Sequence, residues 1–337
     1  MTSVTIGDMA RHFTLRRQNA DLQARLSTLS KELTTGKKAD VAAAVSSDFK
    51  VLAGLDHRLG ILDGYKTATS EAGFFAENLQ NVLGTVASIA GDTGPALLGA
   101  GTTGGVQSVT ITTGDARQKF DSVVSALNTQ VADRFLLSGA ATDRAPISGS
   151  TDILNALSMA TAGQTTASGI IATVESWFDA PPGGGGFADA IYGGAGQPGT
   201  FATGPNDEVT LDVTALDPAI IDTLKGLALA SMVSGGALAG DDTGRAFLTR
   251  TAGETLQAAG SDLALLRGRV GSVEARIADS ETRNAAESTA LTIARAKIVE
   301  ADPYETATAL ESTQTQIETL YSITARLSRL TLADFLR

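Results

Sequence analysis

Leucines recur along the start of the chain with the spacing of a helix that packs against another helix. Leu15, Leu22, Leu26, Leu29 and Leu33 follow one another at steps of seven, four, three and four, which places them on one stripe of a helix from about Thr5 to Leu33. Gly36 is expected to end it. Helical spacing resumes from about Val41 to Ile89, through Leu52, Leu55, Leu59 and Leu62 and then Phe75, Leu79, Val82, Val86 and Ile89. The stretch GDTGPALLGAGTTGG is expected to break it. A further helix is expected from Asp115 to about Leu137, using Phe120, Val124, Leu127 and Val131.

The middle of the chain has a different texture. From about Pro146 to Asp242 it holds much of the glycine and proline, including PPGGGG from Pro181 to Gly186. In EVTLDVTAL, Glu208 to Leu216, Val209, Leu211 and Val213 alternate with polar residues, the period of a strand. Asp217 then caps a helix with Pro218 at its first position, and Ile220, Ile221, Leu224 and Leu227 follow. A small mixed α/β insert with mobile loops is the expectation.

Regular spacing returns beyond it. Leu256, Leu263, Leu266, Val270, Val273 and Ile277, then polar Ser280, Asn284 and Glu287, then Leu291, Ala294 and Ile298 keep steps of three and four, the pattern of a long rod against a partner helix. Gly268 and Gly271 suggest close helix approach there, since each costs about 1 kcal/mol against alanine. The rod is expected to stop at ADPYE, where Asp302 can cap, Pro303 can open and Glu305 can close a capping box for the next helix. That helix would run to the terminus.

Its last eighteen residues, LYSITARLSRLTLADFLR, are strongly apolar. On a helix, Leu320, Ile323, Leu327 and Leu330 form one stripe and Tyr321, Leu332, Phe335 and Leu336 a second, leaving Arg326, Arg329 and Arg337 a polar sector. That face is too wide for one partner helix. The arginines interrupt any run approaching the ~20 apolar residues needed to span a bilayer, so no membrane insertion is expected. Ordering backbone costs roughly 1 to 2 kcal/mol per residue, and an isolated helix is marginal. The tail is therefore expected to order only when other helices surround it.

Composition narrows the function. Hydrophobic residues make up 43% of 337 but aromatics only 5%, so the core must come from Ala, Leu, Val and Ile, which suits helices. The net charge of -11, without a Lys/Arg cluster, argues against a nucleic-acid partner. The absence of cysteine excludes disulfides, thiolate metal sites and cysteine nucleophiles. Residues 1–30 lack the apolar core of a cleaved signal peptide. His12 and His57 fall on separate stripes, GGGG lacks the lysine and helix of a phosphate loop, and Asp241 with Asp242 reads as solvated turn. Trp177, Phe178 and Phe187 are expected to pack within the insert. Nothing assembles a nucleophile, base and orienting group, so no enzyme, cofactor or metal site is expected.

Four segments carry a family resemblance: LSTLSKELTTGKKADVAAAVSSDF from Leu26 to Phe49, RFLLSGAATDRAPI from Arg134 to Ile147, RVGSVEARIADSETRNAAESTAL from Arg269 to Leu291, and the terminal LYSITARLSRLTLADFLR. By these the chain resembles the bacterial flagellin family, and more closely its hook-associated members that join the hook to the filament. The resemblance implies a mainly α fold: an elongated antiparallel helical bundle or coiled coil formed by both chain ends, with the α/β insert between them. It implies a polymerisation helix at 1–40, a helical rod at 41–145, the variable insert at 146–242, a second rod at 243–301 and a carboxy-terminal polymerisation helix at 302–337. Implied partners are copies of itself, other hook-associated proteins and flagellin, with an export chaperone on the last helix. The implied location is the extracellular flagellum, reached without a cleaved signal peptide. Leu22, Leu26, Leu29, Leu33, Leu320, Ile323, Leu327, Leu330, Phe335 and Leu336 are the residues expected to pack between subunits. Two other functions remain open: a flagellin that forms the filament itself, and an adhesin or protease activity carried on the insert.

Overall fold

The computed structural model describes the backbone of residues 6–45 and 48–335 and their side chains except at 6–9, 11, 12 and 327–335. Among the described residues the fold is mainly α, with two small antiparallel hairpins. The chain divides into two compact units, residues 63–285 and residues 1–62 with 286–337.

The 63–285 unit holds the large core. Helix α3 (Lys50–Thr103) and helix α9 (Asp242–Val299) contribute Leu79, Leu83, Val86, Leu97, Leu256, Leu263, Leu266 and Val270, all buried. Helix α4 (Val106–Leu127) adds Val109, Phe120, Val123 and Leu127. Helix α8 (Pro218–Ser234) is buried nearly all round, as its near-continuous apolar sequence requires. Asp217 caps it as expected, accepting from the Ala219 N–H at 3.1 Å with Pro218 in the first turn. Helices α5 (Ser150–Ala160), α6 (Ala167–Phe178) and the short α7 (Phe187–Ala190) join the same core. There Trp177 packs edge-on to Phe178 and Phe187, with ring centres 5.0 and 5.9 Å apart.

Several expected boundaries differ. The glycine and threonine stretch breaks the helix only at its end: α3 runs on through Pro95 to Thr103, and Gly104, at φ +66°, stops it. Proline removes one N–H donor, and the glycines there serve a different purpose: they admit the backbone of α9. A Cβ on Gly94 would lie 3.4 Å from the Gly253 carbonyl, and one on Gly101 would lie 2.7 Å from the Ala246 carbonyl. The close helix approach is therefore here and not at Gly268, where added Cβ meets nothing within 4 Å, or Gly271, which meets only side-chain atoms.

The helix expected to reach Leu137 stops at Leu127, because Asn128 leaves the helix to pair with Ile147. Its amide donates to the Ile147 carbonyl at 2.8 Å and accepts from the Ile147 N–H at 3.0 Å, imitating a strand partner. A hairpin of β1 (Gln130–Val131) and β2 (Arg134–Phe135) follows, turned by Ala132 and Asp133 at positive φ.

The expected strand at Glu208 is real but short. Strand β4 (Asp207–Thr210) pairs antiparallel with β3 (Thr200–Gly204). The glycine run at 183–186 is also more organised than a mobile loop. Both oxygens of Asp189 accept from it, from the Gly183 N–H at 2.8 Å and the Gly185 N–H at 2.6 Å, and these backbone bonds hold the carboxyl below the usual carboxylate range. Lys225 on α8 is drawn the other way by its surroundings. Burial would lower its pKa, but Asp179 and Asp222, at 2.8 and 2.9 Å, outweigh that and raise it.

Candidate assembly site

The unit formed by residues 1–62 and 286–337 is built from α1 (Ile6–Thr35), the short α2 (Val41–Ala44), the start of α3, the end of α9 and α10 (Pro303–Phe335). The leucine stripe of α1 lies against α10, and Gln23 Nε2 donates to Tyr321 Oη at 3.3 Å. Two turns fix this pairing. After α1 the chain leaves the helix at Gly36, whose φ of +67° suits glycine. There the Gly36 carbonyl accepts from the Ala301 N–H at 3.1 Å, and the Lys38 N–H donates to the Val299 carbonyl at 2.9 Å. The turn between α9 and α10 is thereby bonded to the turn after α1. Asp302 caps α10 as its sequence predicts, accepting from the Tyr304 and Glu305 N–H groups at 2.8 and 3.1 Å.

Replacing Gly36 by alanine would meet open space, since nothing lies within 4 Å of the added Cβ, but it would force an L residue into left-handed backbone. Gly36→Ala is expected to destabilise this unit by about 1 kcal/mol and Gly36→Asn by less, measured by urea unfolding followed at 222 nm.

Ion pairs join the other helices of the unit: Arg58 with Glu287, and Arg295 with Asp56 at 2.6 Å. Glu287, one of three polar residues interrupting the α9 stripe, therefore has a local partner.

Packing in this unit is incomplete. Among the described residues its buried hydrophobic side chains are Leu62, Val299, Ala301 and Leu320. Of the side chains expected to pack between subunits, Leu22, Leu26 and Leu29 are half-buried, Leu33 is 43% exposed, Leu320 is buried and Ile323 is 45% exposed. Leu327, Leu330, Phe335 and Leu336 lie outside the described residues. Phe13, Phe49, Val51, Ile61, Ile293 and Tyr321 are also exposed. The stripe positions were legible from leucine spacing. The turn-to-turn bonds were not, because backbone groups form them and no side-chain pattern announces them.

Other chemistry does not converge. No group of three or more His, Asp or Glu side chains that could hold a metal occurs among the described residues, and no helix there is long and apolar enough to cross a membrane. His57 is exposed on α3, and the side chain of His12 lies outside the described residues. Asp241, read as solvated turn, caps α9 by accepting from the Gly244 N–H at 2.9 Å.

Residues 254–336 match the family model described as the bacterial flagellin C-terminal helical region. No curated protein matches the chain. Among solved structures, a putative flagellar hook-associated protein from Vibrio parahaemolyticus superposes with a TM-score of 0.53 at 12% identity, covering 75% of this chain and 99% of that one. FlgL from Bacillus cereus superposes with a TM-score of 0.51 at 13% identity, covering 71% and 96%. At such identities the likeness is one of fold.

Proposed function

We propose that this chain, whose residues 254–336 match the flagellin C-terminal helical region, is a structural subunit of the bacterial flagellum that joins the hook to the filament. One observation carries the reading: among the described residues, helices α1 and α10 pair with each other yet fully bury only Leu320 of their large apolar side chains and leave Phe13, Leu33, Tyr321 and Ile323 exposed. A surface of that kind gains most by association with further helices. The fold neighbours are described as a hook-associated protein and FlgL, which favours the junction over the filament. In this reading residues 1–40 and 302–337 are the polymerisation helices. Leu22, Leu26, Leu29, Leu33, Leu320, Ile323, Leu327, Leu330, Phe335 and Leu336 pack between copies. Before assembly an export chaperone covers the last helix.

Electron microscopy of a deletion strain tests it. Hooks without filaments, with flagellin shed into the medium, are the expected result; normal filaments on normal hooks would refute the role. The flagellin family match keeps a second reading, a filament-forming flagellin. Concentrated purified protein separates the two: self-propagating filaments belong to flagellin, persistent monomers to the junction role.

A further inference from the structure

The hairpin of β3 and β4 lies over a small apolar cluster that is separate from the main core. Ala72 and Ala76 of α3, Ile277 of α9 and Val209 of β4 form it, with Phe201, Leu211 and Val273 packed around. Two short strands alone are marginal in water, so side-chain ties must hold the hairpin down.

Those ties converge on Asp207. One carboxylate oxygen accepts from Ser280 Oγ at 2.9 Å and from Arg283 at 2.9 Å, and the other faces Arg276 at 3.4 Å. A second tie is buried: Asn284 Nδ2 donates to the Thr203 carbonyl at 2.8 Å. Ser280 and Asn284 are two of the polar residues that interrupt the apolar stripe of α9, and this contact explains them.

We propose that the β3–β4 hairpin is a strap latched to α9 through Asp207, able to open on its own while the main core stays closed. Opening uncovers Ala72, Ala76, Val273 and Ile277 and leaves the core from Leu79 to Val270 intact, because the two clusters are distinct. Such local opening below the global unfolding free energy is ordinary protein behaviour.

The charges around Asp207 set the direction of its pH response. From α9 it meets Arg276 and Arg283; on its own strand lies Glu208; α3 contributes Ala72 and Ala76 to the cluster, with Glu71 engaged by Arg134 at 2.9 Å and Glu77 exposed. The Ser280 hydrogen bond chiefly, and then the two arginines, hold the carboxyl below its usual range against the opposing effect of burial. A carboxylate with a depressed pKa stabilises the closed state above the ordinary carboxylate range and loses that contribution as pH falls through its folded value. Acid therefore opens the strap.

The absence of native cysteine makes the test clean. Val209→Cys reports the strap and Leu227→Cys, fully buried on α8, reports the core; each is labelled in the full chain with a pyridyl disulfide. Val209→Cys is expected to label at least tenfold faster than Leu227→Cys. Adding Asp207→Asn is expected to quicken the strap site about tenfold, as befits charge-assisted hydrogen bonds, and to leave the core site unchanged. Asn284→Ala should act in the same way, and hydrogen exchange of residues 200–211 gives a readout without cysteine. Equal labelling at both sites, or equal acceleration of both by Asp207→Asn, would overturn the proposal.

Discussion

In the isolated chain, backbone amides of α1 from residue 13 and of α10 up to residue 326 are expected to exchange at least about a hundredfold faster than those of α8. Amide protection tracks the local cost of opening, which approaches the global value only where a segment is packed on all sides. Helix α8 meets that condition: Ile220, Leu224 and Leu227 are fully buried, and Leu256 of α9 sits where a Cβ on Gly226 would need to go. Helix α1 presents half-buried Leu22, Leu26 and Leu29 to α10, and α10 offers buried Leu320 beside exposed Tyr321 and Ile323. Two helices in contact along one stripe leave each with an open flank, so local opening there breaks few contacts. Exchange mass spectrometry of the monomer checks this directly. Protection of α1 and α10 equal to that of α8 would remove the physical reason to couple their ordering to assembly. A companion variant separates assembly from folding: Leu29→Asp is expected to abolish incorporation into the flagellum and to leave the unfolding midpoint of the 63–285 unit within error.

How much of this was visible in the sequence depends on which forces did the work. Stripes of leucine, isoleucine and valine are periodic, and they placed α1, α9 and α10 because burial of one face decides a helix. Asp217–Pro218 and Asp302–Pro303 were legible as helix starts because a cap acts within one turn. The polar gap at Ser280, Asn284 and Glu287 was visible but unexplained, since its partners Asp207, Thr203 and Arg58 lie far away in the chain. Asn128 gave no warning that it would end α4, because its role comes from Ile147. The α3 glycines were misleading for the same reason. A run of glycine, proline and threonine is a breaker when water surrounds it and a contact surface when a second backbone packs against it, and sequence alone does not say which applies.

That contact surface carries the other large effect. At Gly253 an added Cβ would sit 2.5 Å from the Leu98 nitrogen and 2.7 Å from the Gly94 carbonyl, both backbone atoms. Neither helix can turn a side chain aside, so α3 and α9 must separate, and the buried Leu97 and Leu256 beside the crossing lose contact as they do. Overpacking a close-packed core costs typically 1 to 3 kcal/mol, and a clash against backbone falls at the upper end. Gly253→Ala is therefore expected to destabilise the 63–285 unit by about 3 kcal/mol, and Gly101→Ala similarly, since its Cβ meets the Ala246 carbonyl at 2.7 Å. Gly268→Ala supplies the control. It lies on the same helix with nothing within 4 Å of the added carbon, and there alanine should stabilise by up to about 1 kcal/mol through helix propensity. Urea unfolding of the three variants decides the matter: opposite signs at positions 253 and 268 are required if the α3–α9 crossing, and not helix propensity, explains why glycine stands at Gly94, Gly101 and Gly253.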